Sequence, residues 1–223
     1  MFDDRQDAGR RLARALEQLR GSPEAVVVAV PFGGLPVAEV LAAHLRLPME
    51  SLICAKLRHS TDPELAVGAM AESGVVHLNA VPSSERLRGA DLERELVRAR
   101  EEIEERRLLL HGGRSFPNLG GRTVLLVDDG MITGATMLAA AKALRAHKPA
   151  RLIAAVPAAA RAAARELGAQ TDHLVVLESP EDFQTLDCHY RSWSRVELME
   201  AVICLERCRR GQAGKPRPAA GAL

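Results

Sequence analysis

The stretch Val124–Thr136, VLLVDDGMITGAT, constrains the fold more than any other part of the chain. Val124 to Val127 form an apolar run with no polar break, the pattern of a strand buried on both faces. Asp128 and Asp129 follow at once, then Gly130, then a turn through Thr133, Gly134 and Ala135. From Thr136 the period changes, because Met137, Leu138, Ala141 and Leu144 recur at three- and four-residue spacings, which predicts a helix.

Strand, acidic pair, glycine-containing turn and helix together point to a site for a phosphorylated sugar. At a helix N-terminus the free N–H groups and the dipole favour an anion, and the threonine hydroxyls add donors. Asp128 and Asp129 are placed to accept hydrogen bonds from vicinal hydroxyls, each charge-assisted bond contributing roughly 1.5–3 kcal/mol. The same carboxylates suit a hydrated Mg²⁺ held against phosphates. The alternative for these residues is a plain buried strand followed by a solvated acidic turn. The acidic pair of a response-regulator receiver is excluded, since that pair ends the first strand, whereas this one falls past mid-chain.

VLLVDDGMITGATM resembles the substrate signature of the type I phosphoribosyltransferases, and Pro63-Glu64-Leu65-Ala66 followed by Gly68-Ala69 resembles a subgroup assigned to that family without a known reaction. The resemblance implies that Asp128 and Asp129 face the ribose hydroxyls of 5-phosphoribosyl-1-pyrophosphate (PRPP) with Mg²⁺ beside them. It also implies that Gly130, Thr133, Gly134, Ala135 and Thr136 wrap the 5-phosphate. In the family the turn after the first core strand binds pyrophosphate through backbone amides, which here gives Phe32, Gly33 and Gly34. Relatives often carry an arginine at the position of Phe32, and a phenyl ring cannot pair with pyrophosphate. Lys56 resembles the family's lysine that reaches the pyrophosphate or closes with the flexible loop, with Arg58 and His59 as weaker candidates. Each of these also has a plain reading, an ordinary βα turn for the glycines and a solvated surface for the cations.

The rest of the chain alternates apolar runs with helical periods. A first helix is expected from an Asp3 or Asp4 cap through Leu19, with Ala8, Leu12, Ala15, Leu16 and Leu19 on one face. Ala25–Val30 is a second fully buried strand, followed by a helix from Pro36 to about Leu45. Glu50–Ala55 reads as a third strand. Val67–Ala71 and Val75–Leu78 flank Ser73-Gly74 as a hairpin. From about Ser84 to Leu110 a long charged helix carries only a thin apolar stripe, Leu92, Leu96, Ile103 and Leu110. Its Glu/Arg pairs read as a solvated face, and its stripe as a possible seat for a partner helix or a homodimer mate. Arg151–Val156 and His173–Leu177 are further core strands, with an alanine-rich helix from Ala158 to Leu167 between them.

This order predicts an α/β fold: an open, twisted, parallel sheet with helices on both faces, plus a hairpin and long-helix insertion at about 67–111. Residues 1–208 are expected to form one domain. Glu178–Trp193 reads as loop. The resemblance implies that this region contributes to a hood over the base, so that Tyr190 and Trp193 stack on an acceptor ring, and the alternative is that they pin the C-terminal segment to the core. Arg195–Cys208 reads as a closing helix with Val196, Met199, Val202 and Ile203 inward, and 209–223 as a disordered tail.

Composition restricts the partners. The net charge is +1 in 223 residues, which offers no bulk pull toward nucleic acid or an anionic membrane, and six aromatics leave little for base stacking. No apolar run reaches membrane-spanning length, and the charged start MFDDRQDAGRR is no signal peptide. Cys54, Cys188, Cys204 and Cys208 lack zinc-ribbon or redox spacing, and a reducing cytoplasm fits them. Cys204 and Cys208, four apart on a helix, read as one half-buried face or as metal ligands.

The function expected from the resemblance is a magnesium-dependent pentosyltransferase of nucleobase or nucleotide metabolism. It would transfer phosphoribosyl from PRPP to a base or amine. Ile132 stands where the branch acting on hypoxanthine and guanine has an acid, so the acceptor stays open. The alternative is a catalytically weak PRPP-binding regulator, and a third reading is a phosphate-ester hydrolase using the same acids.

Overall fold

The computed structural model describes residues 1–59, 62, 66–80 and 87–212. Closure of a 56–68 loop, the start of the long helix at Ser84 and a disordered tail beyond Gln212 fall wholly or partly outside the described residues.

In chain order the elements are α1 (Arg5–Ala15), β1 (Ala25–Ala29), α2 (Gly34–Leu45), β2 (Met49–Ser51), β3 (Cys54–Arg58), β4 (Ala66–Ala71) and β5 (Val76–Leu78). They continue with α3 (Gly89–His111), β6 (Thr123–Val127), α4 (Ala135–Ala146), β7 (Arg151–Ala158), α5 (Arg161–Gly168), β8 (His173–Glu178) and α6 (Leu198–Gln212). Five strands form one parallel sheet in the order β2-β1-β6-β7-β8, with β6 at its centre.

The side-chain alternation of these strands makes two cores. Val27, Ala29, Leu125, Val127, Ile153 and Ala155 face a layer that includes α1, α2 and α6. Val26, Val28, Val124, Leu126, Leu152, Ala154 and Val156 face α4 and α5. A strand buried on both faces therefore has to be apolar at every position, which is why β1 and β6 read as unbroken runs.

The expected third strand, Glu50–Ala55, is two strands. β2 ends at Ser51 in the parallel sheet, and β3 begins at Cys54 in a separate antiparallel sheet of order β3-β4-β5. The crossing is held by hydrogen bonds. Leu52 N–H still donates to Ala29 C=O at 2.9 Å, whereas Ile53 N–H donates to the Glu72 carboxylate at 2.9 Å. The linking residues Leu52 and Ile53 carry no turn signal, so nothing in the sequence marks the break.

Asp4 is the cap of α1, its Oδ1 accepting the Asp7 N–H at 2.7 Å. The helix ends at Ala15, which is exposed, and Ala13 takes the inward place expected for it. The closing helix starts at Leu198 rather than Arg195 and continues past Cys208 into the expected tail. Its inward residues are Ala201, Cys204 and Leu205, whereas Met199 and Ile203 point outward at 68% and 48% exposure.

The long helix α3 departs most from its sequence reading. One row of its charges, Glu95, Arg98 and Arg106, faces the free edge of β3 rather than solvent. Arg106 Nη1 donates to Cys54 C=O at 3.1 Å, Arg98 Nη2 to Lys56 C=O at 2.5 Å, and Glu95 accepts the Arg58 N–H at 2.9 Å. An edge strand leaves alternate backbone groups unpaired, and these side chains complete them. Among the described residues no helix is long and apolar enough to cross a membrane.

Candidate active site

A cleft of about 470 Å³ opens at the carboxyl ends of β1 and β6, where open α/β sheets place their ligands. Its walls come from the turn after β6, the turn after β1, the end of β3, one side of α3 and the segment before α6.

The turn after β6 is built around two special backbone positions. A Cβ on Gly130 would lie 2.2 Å from Leu186 Cδ2 and 2.9 Å from Ala158 C=O, so only glycine fits. Gly134, at φ +75°, starts α4 from the left-handed region that glycine tolerates. The first bond of α4 that reaches back to the turn runs from Leu138 N–H to Gly134 C=O at 2.8 Å. The amides of Ala135, Thr136 and Met137 precede it and form the helix's open N-terminus. The Thr133 hydroxyl accepts from Ala135 N–H at a long 3.4 Å. Ile132, Thr133, Gly134, Ala135 and Thr136 all border the cleft.

The two acids are not equivalent. Asp129 is buried, and its Oδ2 accepts from Arg5 Nε at 2.7 Å in an ion pair buried on both sides. Its carbonyl accepts from the Tyr190 hydroxyl at 2.7 Å. Asp128 is half-buried and faces the cleft, its Oδ1 accepting the Asp129 N–H at 2.9 Å. Burial, and then the negative charge of Asp129, pushes the Asp128 carboxyl well above the usual carboxylate range, with Lys56 pulling the other way. A hard cation beside Asp128 would relieve both effects, so this oxygen set fits Mg²⁺. Most of that fit lies with Asp128, because Arg5 already holds one Asp129 oxygen.

The turn after β1 closes on these acids. A Cβ on Gly33 would lie 2.0 Å from Asp129 Oδ2, and one on Gly34 would lie 2.9 Å from Asp128 Cα. The two glycines thus let the turns touch. Gly33 borders the cleft, but Gly34 lies behind the wall, and its amide donates to Val30 C=O at 3.2 Å. Gly34 is therefore not an open donor, contrary to the sequence expectation. The amides of Phe32 and Gly33 carry no hydrogen bond among the described residues. Phe32 packs against the core of the α1–α2 layer, with the Arg106 guanidinium 5.0 Å above its ring.

Lys56 and Arg58 extend from β3 to the cleft wall, whereas His59 is not among its lining residues. Tyr190 is buried against Phe2 and Trp193, and burial raises its phenol far above the ordinary value, so it remains a hydrogen-bond donor. It pins the C-terminal segment and is not among the residues that line the cleft. Trp193 does border the cleft at 37% exposure, but the Arg5 guanidinium already covers its ring at 3.8 Å.

Sequence reasoning missed Arg5, Glu102, Arg106, Leu186 and Arg195, all of which line the cleft. Arg5 meets Asp129 across 124 residues, and no local pattern announces such a pair. Glu102 and Arg106 did carry a signal, since with Glu95 and Arg98 they form a charged row on one face of α3. Glu39, Cys204 and Cys208 also converge, with ligand atoms within 4.8 Å of one another, but Arg207 holds the Glu39 carboxylate through two bonds of 2.8 and 2.9 Å.

Residues 1–190 match the phosphoribosyl transferase domain family. The chain belongs to that family. Two Mycobacterium tuberculosis proteins, from strains H37Rv and CDC 1551, are each provisionally named a phosphoribosyl transferase. Each is 37% identical to this chain over 215 residues, covering 94% of it and 47% of its own length. The chain thus spans about half the length of these curated relatives. The crystal structure of TT1426 from Thermus thermophilus is similar at a TM-score of 0.75 and 34% identity, covering 93% of this chain and 98% of that one. The parallel five-stranded sheet with flanking helices and an antiparallel hairpin sheet is the phosphoribosyltransferase fold.

Proposed function

We propose that the cleft binds PRPP with Mg²⁺ and transfers its phosphoribosyl group to a nitrogen nucleophile. The observation that carries this reading is the meeting, in one cleft, of the open α4 N-terminus, the Asp128 carboxylate and the paired glycine turn. The α4 amides and the Thr133 and Thr136 hydroxyls hold the 5-phosphate, where the dipole favours its charge. Asp128 receives the ribose hydroxyls and sets a negative charge near the anomeric carbon, which becomes oxocarbenium-like as pyrophosphate leaves. The amides of Phe32 and Gly33, with Lys56, face the pyrophosphate. Mg²⁺, held by Asp128 when bound, supplies further charge neutralisation for that leaving group. Asp129 works from behind: pinned by Arg5 and Tyr190, it fixes the place of Asp128 and supplies its negative neighbour.

The acceptor is a nitrogenous base or amine. Ile132, Leu186 and Val196 give the cleft an apolar lining, which suits the face of a ring. Ile132 is 47% exposed there and offers no proton acceptor. Incubation of the protein with PRPP, Mg²⁺ and a pool of bases and amines, with pyrophosphate release as the readout, tests the proposal. Release that depends on one member of the pool supports it. PRPP binding without release under any acceptor would support the second reading, a PRPP-responsive regulator, which the phenyl ring at position 32 favours.

A further inference from the structure

We propose that Arg106, reaching in from α3, supplies the cation for the pyrophosphate that Phe32 withholds from the turn after β1. This inference rests on the phosphoribosyl reading of the cleft and assigns a residue within it.

Three observations converge on Arg106. It borders the same wall as Phe32, Gly33 and Lys56, and its guanidinium lies 5.0 Å over the Phe32 ring. An arginine over an aromatic face is held there by cation–π attraction, so the phenyl ring seats a guanidinium that it cannot itself provide. The group is also positioned from its other side. Nη1 donates to Cys54 C=O at 3.1 Å, and Nη2 pairs with Glu102. A guanidinium has five N–H donors, and this arrangement leaves part of the fork for phosphate oxygens.

The charge balance of the wall points the same way. Lys56, Arg58 and Arg106 are gathered there against Glu102, which leaves the wall cationic. Burial, together with the cations Arg58 and Arg98 nearby, pulls the Arg106 pKa down. A guanidinium remains charged at neutral pH under any such shift, so the cost is one that an incoming anion offsets. Arg98 and Glu95 also complete the edge of β3, but Arg98 is not part of the cleft wall, whereas Arg106 is. The long helix thereby gains a role beyond covering a strand.

The test titrates four proteins with magnesium pyrophosphate and, separately, with ribose 5-phosphate: the wild type, Arg106→Gln, Phe32→Arg and the double variant. Arg106→Gln should lose about tenfold or more in pyrophosphate affinity, the effect of one charge-assisted contact, with ribose 5-phosphate unchanged. Phe32→Arg in that background should recover most of the loss, whereas in the wild-type background it should gain no more than about threefold, because the wall already holds its cation. Unchanged pyrophosphate binding in Arg106→Gln, or equal losses for both ligands, overturns the assignment and leaves Arg106 a purely structural residue. If Arg106→Gln fails to fold, Phe32→Arg alone decides, since a gain of tenfold or more would mean that the wild-type wall lacks a cation there. A wild type that binds neither ligand sinks the phosphoribosyl reading itself, a result distinct from any of these.

Discussion

The turn after β1 and the turn after β6 both lead from a buried strand end to a helix, and both use glycines to do so. They differ in where the polar groups go. At Thr133–Thr136 the start of the helix and two threonines border the cleft, and Gly134 only turns the chain. At Phe32–Gly34 the glycines serve the packing of one turn against the other, Gly33 against the Asp129 carboxylate and Gly34 against the Asp128 backbone. One amide of that turn already donates to Val30 C=O, and its one bulky side chain is apolar. The same strand–turn–helix plan thus yields one turn suited to an anion and another that mainly holds the acids in place. Asp129 is the wedge between them, and Arg5 is what keeps its charge tolerable.

The largest effect expected from breaking this arrangement is Arg5→Met. It leaves Asp129 buried without its partner, and loss of one member of a buried ion pair typically removes about 3–5 kcal/mol. Urea unfolding should show that loss in full, whereas a value under about 1 kcal/mol would mean that the pair is not the wedge. Gly33→Ala should cost about 1–3 kcal/mol by overpacking, since its Cβ would fall 2.0 Å from Asp129 Oδ2. The turn after β6 supplies the contrast. A Cβ at Gly134 would sit 3.1 Å from Ala163 Cβ, and the cost there comes from φ +75°. Pairing Gly33→Ala with Arg5→Met should then be less than additive, because both displace the same carboxylate.

The smallest effect has the opposite sign. Asp128→Asn keeps the Oδ1 that accepts the Asp129 N–H, and removes a charge that burial and Asp129 disfavour. It should stabilise the protein by on the order of 1 kcal/mol at neutral pH, as relief of a strained functional site often does, while weakening PRPP binding. The pH dependence carries the same sign. The folded carboxyl of Asp128 has a raised pKa, so the folded state holds its proton to higher pH than the unfolded chain does. Its contribution to stability is therefore lost as pH rises from the ordinary carboxylate range through the folded value. Thermal melts across that range should fall for the wild type and flatten in Asp128→Asn. Parallel curves would show that Asp128 is ionised without strain.

How much of this was legible in the sequence depended on whether the cause was local. VLLV and AVVVA announced the two central strands because burial on both faces demands an apolar residue at every position. DDG and TGAT placed the acids and the open helix terminus because those turns are set by neighbouring residues. The division of Glu50–Ala55 between two sheets was not legible, since Leu52 and Ile53 suit either strand and the break depends on Glu72, distant in sequence. Nor was the inequality of Asp128 and Asp129, which follows from Arg5 and Tyr190 at opposite ends of the chain. The charged face of α3 looked solvated for a related reason. A Glu/Arg row at helical spacing reads the same whether it meets water or the unpaired edge of a strand. Even the inward face of α6 came out differently, because Met199 and Ile203 are apolar yet lie on its outer side.

The most direct test of the central claim is a calorimetric titration with PRPP and Mg²⁺, wild type beside Thr136→Ala, repeated with ribose 5-phosphate. Saturable binding of both ligands by the wild type is expected, with PRPP the tighter. The Thr136→Ala variant should weaken the two by the same factor, corresponding to about 1.5–3 kcal/mol if its hydroxyl meets the shared 5-phosphate. Equal affinities in wild type and variant, or no saturable binding of PRPP with Mg²⁺, would contradict the account.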